Sequence, residues 1–242
     1  MADIINFAHR GAAGHCPENT MVSFMHALEL GATGIETDVQ MTKDGHLVLI
    51  HDETLQRTAG SPAWVKDLTL AEIKELDAGS WYHEDFRGER IPILQELLDL
   101  VRDKETVINL ELKNGIVLYP ELERKVIEVV RQYGLTGRVI ISSFNHYSLV
   151  ECKKIAPEIR TGILYMEGIY EPWEYAKRIG ADALHAFKYA LHPELVAAAA
   201  KAGIPYHPFT VNEKQEMSDL ITAGVAGIIT DYPDRLAELL SS

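Results

Sequence analysis

The sequence predicts a single α/β domain folded as a (β/α)8 barrel, from its length, the alternation of its elements and the number of its strands. The 242-residue chain has the size typical of one such barrel. Apolar runs alternate with amphipathic stretches that end at a glycine, which favours a parallel sheet. Eight runs are interpreted as parallel strands: residues 4–8, 35–39, 106–112, 139–143, 160–165, 182–185, 205–211 and 227–230. Eight strands favour a closed barrel over the alternative, a doubly wound open sheet.

The first strand and helix form a β-loop-α unit. The apolar run of residues 4–8 ends at His9 and Arg10 and is interpreted as a buried strand that delivers polar side chains at its carboxyl end. Pro17-Glu18-Asn19-Thr20 then opens a helix that Gly31 ends.

The second strand is predicted to continue into a β-hairpin. Residues 35–41 and 46–51 are rich in β-forming residues and flank Thr42-Lys43-Asp44-Gly45, and an Asp-Gly pair in this position indicates a hairpin turn. A register that places Met41 opposite His46 would pair Glu36 with His51. Glu36 and Asp38 point to the same face because side chains alternate along a strand. Two carboxylates and an imidazole would then share one surface.

Residues 53–92 do not fit a repeating βα unit and are interpreted as an insertion beside the barrel mouth. Thr69-Leu70-Ala71-Glu72 is a capping box that starts a short helix, and Trp81, Tyr82 and Phe86 follow in an irregular segment. The insertion serves either as a structural cover or as a lid that selects substrate. The helix of residues 93–102 resumes the barrel, so one domain is expected over residues 1–242.

Charge and cysteine content exclude several classes of partner. A formal charge of −13 disfavours nucleic acid and membrane surfaces, since both carry negative charge. The two cysteines, Cys16 and Cys152, lack the spacing of a disulfide framework or a zinc ribbon. The N-terminus shows no signal-peptide pattern, and no apolar run has the length of a membrane span. These features predict a cytoplasmic protein.

Polar residues collect where the predicted strands end. In a barrel the carboxyl ends of the strands converge on one face, where active sites lie. The residues predicted at this rim are His9, Arg10, Glu36, Asp38, Glu111, Lys113, residues 143–145, His185, residues 209–212, Thr230 and Asp231.

Carboxylates and cations at this rim suit an anionic substrate and a hard metal ion. The carboxylates of Glu36, Asp38 and Glu111 could hold one Mg²⁺ or Ca²⁺, with water completing the shell. Arg10 and Lys113 could hold an anionic substrate group.

Histidines supply the remaining chemistry. His9 and His51 are candidates for a general acid and a general base, and together with a metal and two cations they indicate phosphodiester chemistry. His185 is a further candidate for a substrate contact because it ends a strand at the rim, while Phe144 and Phe209 are candidates for apolar pocket walls or for core packing.

These residues resemble the glycerophosphodiester phosphodiesterase family over nearly the whole chain. The motifs that carry the resemblance are His9-Arg10, Pro17-Glu18-Asn19-Thr20, Glu36-x-Asp38, His51-Asp52, Glu111-x-Lys113, Ser143-Phe144, Thr210-Val211-Asn212 and the Gly-Ile-Ile-Thr-Asp of residues 227–231. Each motif is weak alone, but their order and spacing are specific. The lack of a signal peptide resembles the cytosolic bacterial branch.

The resemblance implies a barrel with a small insertion after the hairpin, and hydrolysis of glycerophosphodiesters to glycerol 3-phosphate and an alcohol. Such substrates include glycerophosphocholine and glycerophosphoethanolamine, and the reaction belongs to glycerophospholipid breakdown. In this family the glycerol 2-hydroxyl is thought to attack phosphorus, and water then opens the cyclic phosphate. The implied roles are metal ligation by Glu36, Asp38 and Glu111, acid/base catalysis by His9 and His51, and phosphate contact by Arg10 and Lys113. The resemblance leaves open which histidine is the acid.

Two departures from the family pattern leave the metal and proton-transfer positions intact. Phe209 stands where tryptophan is common, which keeps an apolar wall but removes an indole donor, and Ala226 stands where aspartate is common.

Two alternatives stay open: a related barrel phosphodiesterase for phosphoinositides or phospholipids, and a non-catalytic protein that binds glycerophosphodiesters. The acidic composition disfavours the first alternative. The candidate acid/base pair disfavours the second, because binding alone does not need one.

Overall fold

The computed structural model describes residues 4–241, in which strands and helices alternate. The strands are β1 (Ile5–His9), β2 (Gly34–Met41), β3 (Leu47–Leu49), β4 (Val107–Leu112), β5 (Val139–Ser143), β6 (Arg160–Tyr165), β7 (Ala183–Ala186) and β8 (Gly227–Thr230). The helices are α1 (Met21–Glu29), α2 (Gln56–Ala59), α3 (Leu70–Lys74), α4 (Leu94–Val101), α5 (Leu122–Gln132), α6 (His146–Ile155), α7 (Pro172–Ile179), α8 (Pro193–Lys201), α9 (Lys214–Ala223) and α10 (Pro233–Leu240). The predicted strands and the observed ones agree closely, with one exception.

The sheet curls into the predicted (β/α)8 barrel. Its parallel strands run in the order β7-β6-β5-β4-β2-β1-β8, and β3 adds to β2 as the antiparallel return of the hairpin. Residues 205–211 fill the gap between β7 and β8: the Leu184 N–H donates to the Pro205 carbonyl at 2.9 Å, and the Val211 N–H donates to the Ile229 carbonyl at 2.9 Å. The expectation of a regular strand here is wrong, because Pro205 and Pro208 have no N–H to donate and only isolated bridges form.

Apolar packing fixes the barrel on both of its faces. The outward side chains of the strands bury against the helices: Ile35, Val39 and Leu97 of α4 belong to one apolar cluster and have no exposed surface. Inside the barrel Phe7 and Ile140 pack together in a separate apolar cluster. Each such side chain stabilises the fold by about 1.5–3 kcal/mol. The polar rim therefore rests on a rigid apolar base.

The hairpin forms, but its register differs from the expected one. Met41 pairs with Leu47 instead of His46. The loop has three residues instead of four, because the Thr42 N–H donates to the His46 carbonyl at 2.9 Å and Gly45 adopts a φ of +85°, as three-residue hairpin loops require. Glu36 is therefore not the strand partner of His51.

The insertion packs on the hairpin around a small core to which both contribute. Its buried side chains are Val48, Ile50, Leu55, Val65, Ile73, Ala78 and Ile91. The predicted capping box is present, with Thr69 and Glu72 bonding reciprocally at the start of α3.

Among residues 4–241 no helix combines the length and apolar character that crossing a bilayer requires.

Candidate active site

Two strands bring the predicted carboxylates together at the rim, and a third strand places His9 beside them. In the sheet register Glu36 of β2 lies beside His9 of β1, and Asp38 of β2 lies beside Glu111 of β4. Residues paired across parallel strands point to the same side, so these four side chains face the barrel interior at its carboxyl end. The carboxylates come from rigid strands, as precise ligand geometry requires.

The three carboxylates form a compact acidic cluster. One ligand oxygen from each of Glu36, Asp38 and Glu111 lies within 4.8 Å of the others. The residues are 3%, 1% and 8% exposed, and Asp38 Oδ1 has no hydrogen-bond partner among residues 4–241. Buried oxygens this close suit a hard divalent cation, because they repel one another in its absence.

Two cations lie against this cluster. Lys113 Nζ donates to Glu111 Oε1 at 2.9 Å and lies 3.9 Å from Asp38 Oδ1. Arg10 Nε lies 3.3 Å from Asp38 Oδ2, and the Arg10 backbone N–H donates to Glu36 Oε2 at 3.1 Å. Both cations are thus positioned to neutralise an anionic substrate group that approaches the carboxylates.

Burial and charge shift the carboxylates in different directions. Burial, with the charges of Asp38 and Glu111, raises the pKa of Glu36 well above its ordinary range. Burial and the charge of Asp38 also raise the pKa of Glu111, although Lys113 opposes them. Burial alone would raise the pKa of Asp38, but Arg10, His51 and Lys113 more than offset it and lower that pKa to about 2. Asp38 is therefore the most acidic of the three carboxylates.

His9 is oriented by a carboxylate from the opposite end of the chain. Its Nδ1 lies 2.6 Å from Asp231 Oδ1, and Asn212 Nδ2 donates to Asp231 Oδ2 at 2.7 Å. Burial raises the pKa of Asp231, but the hydrogen bond and charge of His9 outweigh it, so the net shift is downward. An ionised carboxylate only accepts, so Nδ1 carries the proton and Nε2 faces the site, 3.9 Å from Glu36 Oε2.

His51 is oriented in the same way by its neighbour in the chain. Its Nδ1 lies 2.6 Å from Asp52 Oδ1. Hydrogen bonds from Arg57 lower the pKa of Asp52 despite the effect of burial, and the hydrogen bond with His51 lowers it further. His51 reaches the site through the bend after β3, where Gln40 Nε2 donates to the Ile50, His51 and Asp52 carbonyls at 3.2, 3.0 and 2.7 Å.

Aromatic side chains form one wall beside the charged groups. Phe144, 45% exposed, meets Phe209 edge to face with ring centroids 6.1 Å apart, and Phe187 lies 6.0 Å from Phe209. A cavity of about 160 Å³ is lined by Glu53, Glu111, Leu112, Lys113, Gly115, Ile116, Ser143 and Phe144. A larger groove of about 540 Å³ involves α8 and α9 and contains none of the site residues.

His185 does not join the site. Its side chain has no exposed surface, and its Nε2 pairs with His207 Nδ1 at 3.0 Å inside the barrel. Gly162 of β6 leaves the room for this ring, since a side chain there would collide with it. This placement contradicts the prediction that His185 contacts substrate, because the ring points into the barrel and not out of its mouth.

Sequence reasoning missed the residues that orient the predicted ones. Asp231 and Asn212 were expected at the rim without a role, although Thr-Val-Asn and the terminal Asp of the last strand were visible signals. Asn19 donates to Asp38 Oδ2 at 2.9 Å, and it too lay within a recognised motif. The contact between Arg57 and Glu18 had no signal, because the two residues lie 39 positions apart in the chain.

The fold and these side chains define a hydrolase of the (β/α)8-barrel class. Residues 9–235 match the model of the glycerophosphoryl diester phosphodiesterase family. A glycerophosphodiester phosphodiesterase of Caldanaerobacter subterraneus subsp. tengcongensis is 53% identical over 96% of both chains, and one of Bacillus altitudinis is 44% identical over 96% of both. The chain belongs to this family and is a glycerophosphodiester phosphodiesterase.

Solved structures show the same fold. A phosphodiesterase from Oleispira antarctica, in complex with the product sn-glycerol-3-phosphate, superposes with a TM-score of 0.92 and is 31% identical, with 100% of this chain and 98% of that chain covered. A glycerophosphodiester phosphodiesterase from Agrobacterium tumefaciens superposes with a TM-score of 0.85 at 31% identity, with 98% and 100% covered.

Proposed function

We propose that the protein hydrolyses glycerophosphodiesters, such as glycerophosphocholine and glycerophosphoethanolamine, to glycerol 3-phosphate and an alcohol in a reaction that depends on one divalent metal ion, Mg²⁺ or Ca²⁺. The observation that carries this proposal is the buried carboxylate cluster, together with two histidines that are each paired with a carboxylate at 2.6 Å. The product complex of the Oleispira antarctica relative supports the choice of substrate.

Glu36, Asp38 and Glu111 would hold the metal ion, since they are the oxygen ligands that such ions prefer. When bound, the ion would stabilise negative charge on the phosphoryl oxygens. Arg10 and Lys113 add positive charge on the same side and would bind the phosphate, the arginine as a fork and the lysine as a point charge.

His9 and His51 would move the protons. Each has its Nδ1 engaged by a carboxylate, so Nε2 is the atom free to exchange a proton with an attacking or a leaving oxygen. The carboxylate partners hold the ring orientation and stabilise the imidazolium that forms after proton uptake. Phe144 and Phe209 would form an apolar wall for the glycerol carbons.

A role in glycerophospholipid breakdown in the cytoplasm completes the proposal. Cys16 and Cys152 are buried free thiols, as expected in a reducing compartment. The substrate is a small molecule whose phosphate would meet the two cations described above.

The experiment that tests the proposal measures release of glycerol 3-phosphate from each diester after treatment with a chelator and after addition of Mg²⁺ or Ca²⁺. We expect no release in chelator and restored release with one or both metals. Glu111→Gln should remain inactive with metal, while the exposed Glu105→Gln serves as a matched control with normal activity. Metal-independent release, or release from phosphoinositides alone, would contradict the proposal.

A further inference from the structure

We infer that Arg57, which the insertion supplies, is a positioning residue that holds both His51 and Arg10 in their working orientations. The inference rests on the roles proposed above for these two residues. It assigns the insertion a part in supporting the site, beyond covering the barrel or selecting substrate.

Arg57 fixes both oxygens of the carboxylate that orients His51. Its Nε donates to Asp52 Oδ2 at 2.8 Å and its Nη2 donates to Asp52 Oδ1 at 3.0 Å. Oδ1 is also the partner of His51 Nδ1 at 2.6 Å. Among residues 4–241, Arg57 and His51 make all the side-chain hydrogen bonds of Asp52 that the structure shows. Since the Asp52 side chain is 29% exposed, loss of Arg57 would free the carboxylate to rotate toward water and release the imidazole.

The other edge of the same guanidinium holds the carboxylate that orients Arg10. Arg57 Nη1 donates to Glu18 Oε2 at 2.7 Å, and its Nη2 donates to Glu18 Oε1 at 2.8 Å. Glu18 Oε1 also accepts a hydrogen bond from Arg10 Nη1 at 2.9 Å. Arg10 in turn lies 3.3 Å from Asp38 through its Nε. The planar guanidinium of Arg57 thus links His51, through Asp52, to Arg10, through Glu18. A lysine ammonium does not reproduce this geometry.

The insertion holds Arg57 in place. Arg57 lies on α2, whose preceding residue Leu55 is buried in the small core that joins the insertion to Val48 and Ile50 of the hairpin. The guanidinium carbon lies 5.9 Å from the ring centroid of Trp81, a cation–π contact from a later part of the insertion. Two segments of the insertion, α2 and the stretch that contains Trp81, therefore restrict the position of the Arg57 side chain.

The two histidines differ in the source of their support. His9 is oriented by Asp231 and Asn212, both from the barrel, whereas the Asp52 partner of His51 is held by the insertion. A change at Arg57 should consequently disturb His51 and leave His9 as an internal reference in the same molecule.

The test compares Arg57→Met and Arg57→Lys with Arg87→Met. Arg87 lies in the same insertion, and among residues 4–241 its only ion-pair partner is Glu84; 69% of its side chain is exposed. In Arg57→Met we expect kcat for glycerophosphocholine to fall about 10- to 100-fold, the range seen when groups that orient a site are removed. Metal affinity should change little, Arg57→Lys should recover only part of the loss, and Arg87→Met should match the wild type.

A second readout does not depend on turnover. The proton NMR signals of the Nδ1–H groups of His9 and His51 report the two hydrogen bonds with Asp231 and Asp52. In Arg57→Met the His51 signal should broaden through exchange with water, while the His9 signal stays sharp.

An unchanged His51 signal, or kcat within about twofold of the wild type, would overturn the inference. If Arg57→Met fails to fold, Arg57→Lys decides the question, since wild-type turnover and an unchanged His51 signal in that variant would also overturn it. If the wild-type protein releases no glycerol 3-phosphate, the proposed function fails, and the NMR comparison still decides whether Arg57 positions His51.

Discussion

Replacing Glu36 with glutamine should stabilise the metal-free protein while removing its response to metal. Glu36 faces two carboxylates with ligand oxygens within 4.8 Å, and a pair of unit charges at this separation repels by about 3 kcal/mol at an effective dielectric constant of 20. Arg10 offsets part of this repulsion, and glutamine keeps an oxygen that accepts from the Arg10 backbone N–H. We expect a net gain of about 1–3 kcal/mol in the free energy of unfolding, equivalent to roughly 3–10 °C in Tm for a chain of this size.

Urea and thermal unfolding of both proteins, in chelator and in saturating metal, measures this effect. The wild type should gain about 2.7 kcal/mol at a metal concentration of 100 times Kd, whereas Glu36→Gln should gain little. The exposed Glu105→Gln is the matched control and should respond to metal as the wild type does. The reasoning is refuted if Glu36→Gln is less stable than the wild type in chelator, because Glu36 would then act as a structural ion-pair partner.

Three further predictions concern single side chains. His51→Ala should lower kcat by about 10²- to 10⁴-fold with unchanged Tm. The control is His83→Ala, at an exposed histidine of the insertion, which should keep normal kcat. Unfolding of His51→Ala would instead indicate a structural role for His51. Lys113→Met should lower kcat/KM by about 10- to 100-fold. In calorimetry the variant should bind metal at least as tightly as the wild type, because the Lys113 ammonium lies 2.9 Å from Glu111 and competes with the ion for it. Weaker metal binding by the variant would contradict this prediction. Burial, then the charge of Arg160, lowers the pKa of His207 from 6.5 to about 4. Between these values only the unfolded chain binds the proton, so stability should be full above pH 6.5 and fall by about 3 kcal/mol by pH 4. In His207→Gln, urea unfolding between pH 7 and pH 4 should give a flatter dependence, and an equal slope would refute this assignment.

The sequence predicted the barrel and the carboxylate cluster for the same physical reason. Buried parallel strands appear as apolar runs, and ionisable residues within or just after such a run are expected where the strands converge at the barrel rim. Glu36 and Asp38 on one strand and Glu111 on its neighbour therefore required no knowledge of loops to be placed together.

Features that depend on tertiary detail were not predictable in this way. The hairpin register followed from the Thr42 backbone contact with His46 and not from the Asp-Gly pair alone. His185 ends a strand as His9 does, but only the packing shows that its ring points down into the barrel toward His207. Arg57 contacts Glu18 across the interface between the insertion and the barrel, a meeting that no local pattern indicates.

The most direct test of the proposed function is a titration of chelator-treated protein with Mg²⁺ and with Ca²⁺, in which metal binding and release of glycerol 3-phosphate from glycerophosphocholine are followed together. Glu36, Asp38 and Glu111 offer one cluster of ligands among residues 4–241. We therefore expect one ion per chain, with turnover rising in proportion to the occupied fraction. Full turnover in chelator, or metal binding without any release of glycerol 3-phosphate, would contradict the proposal.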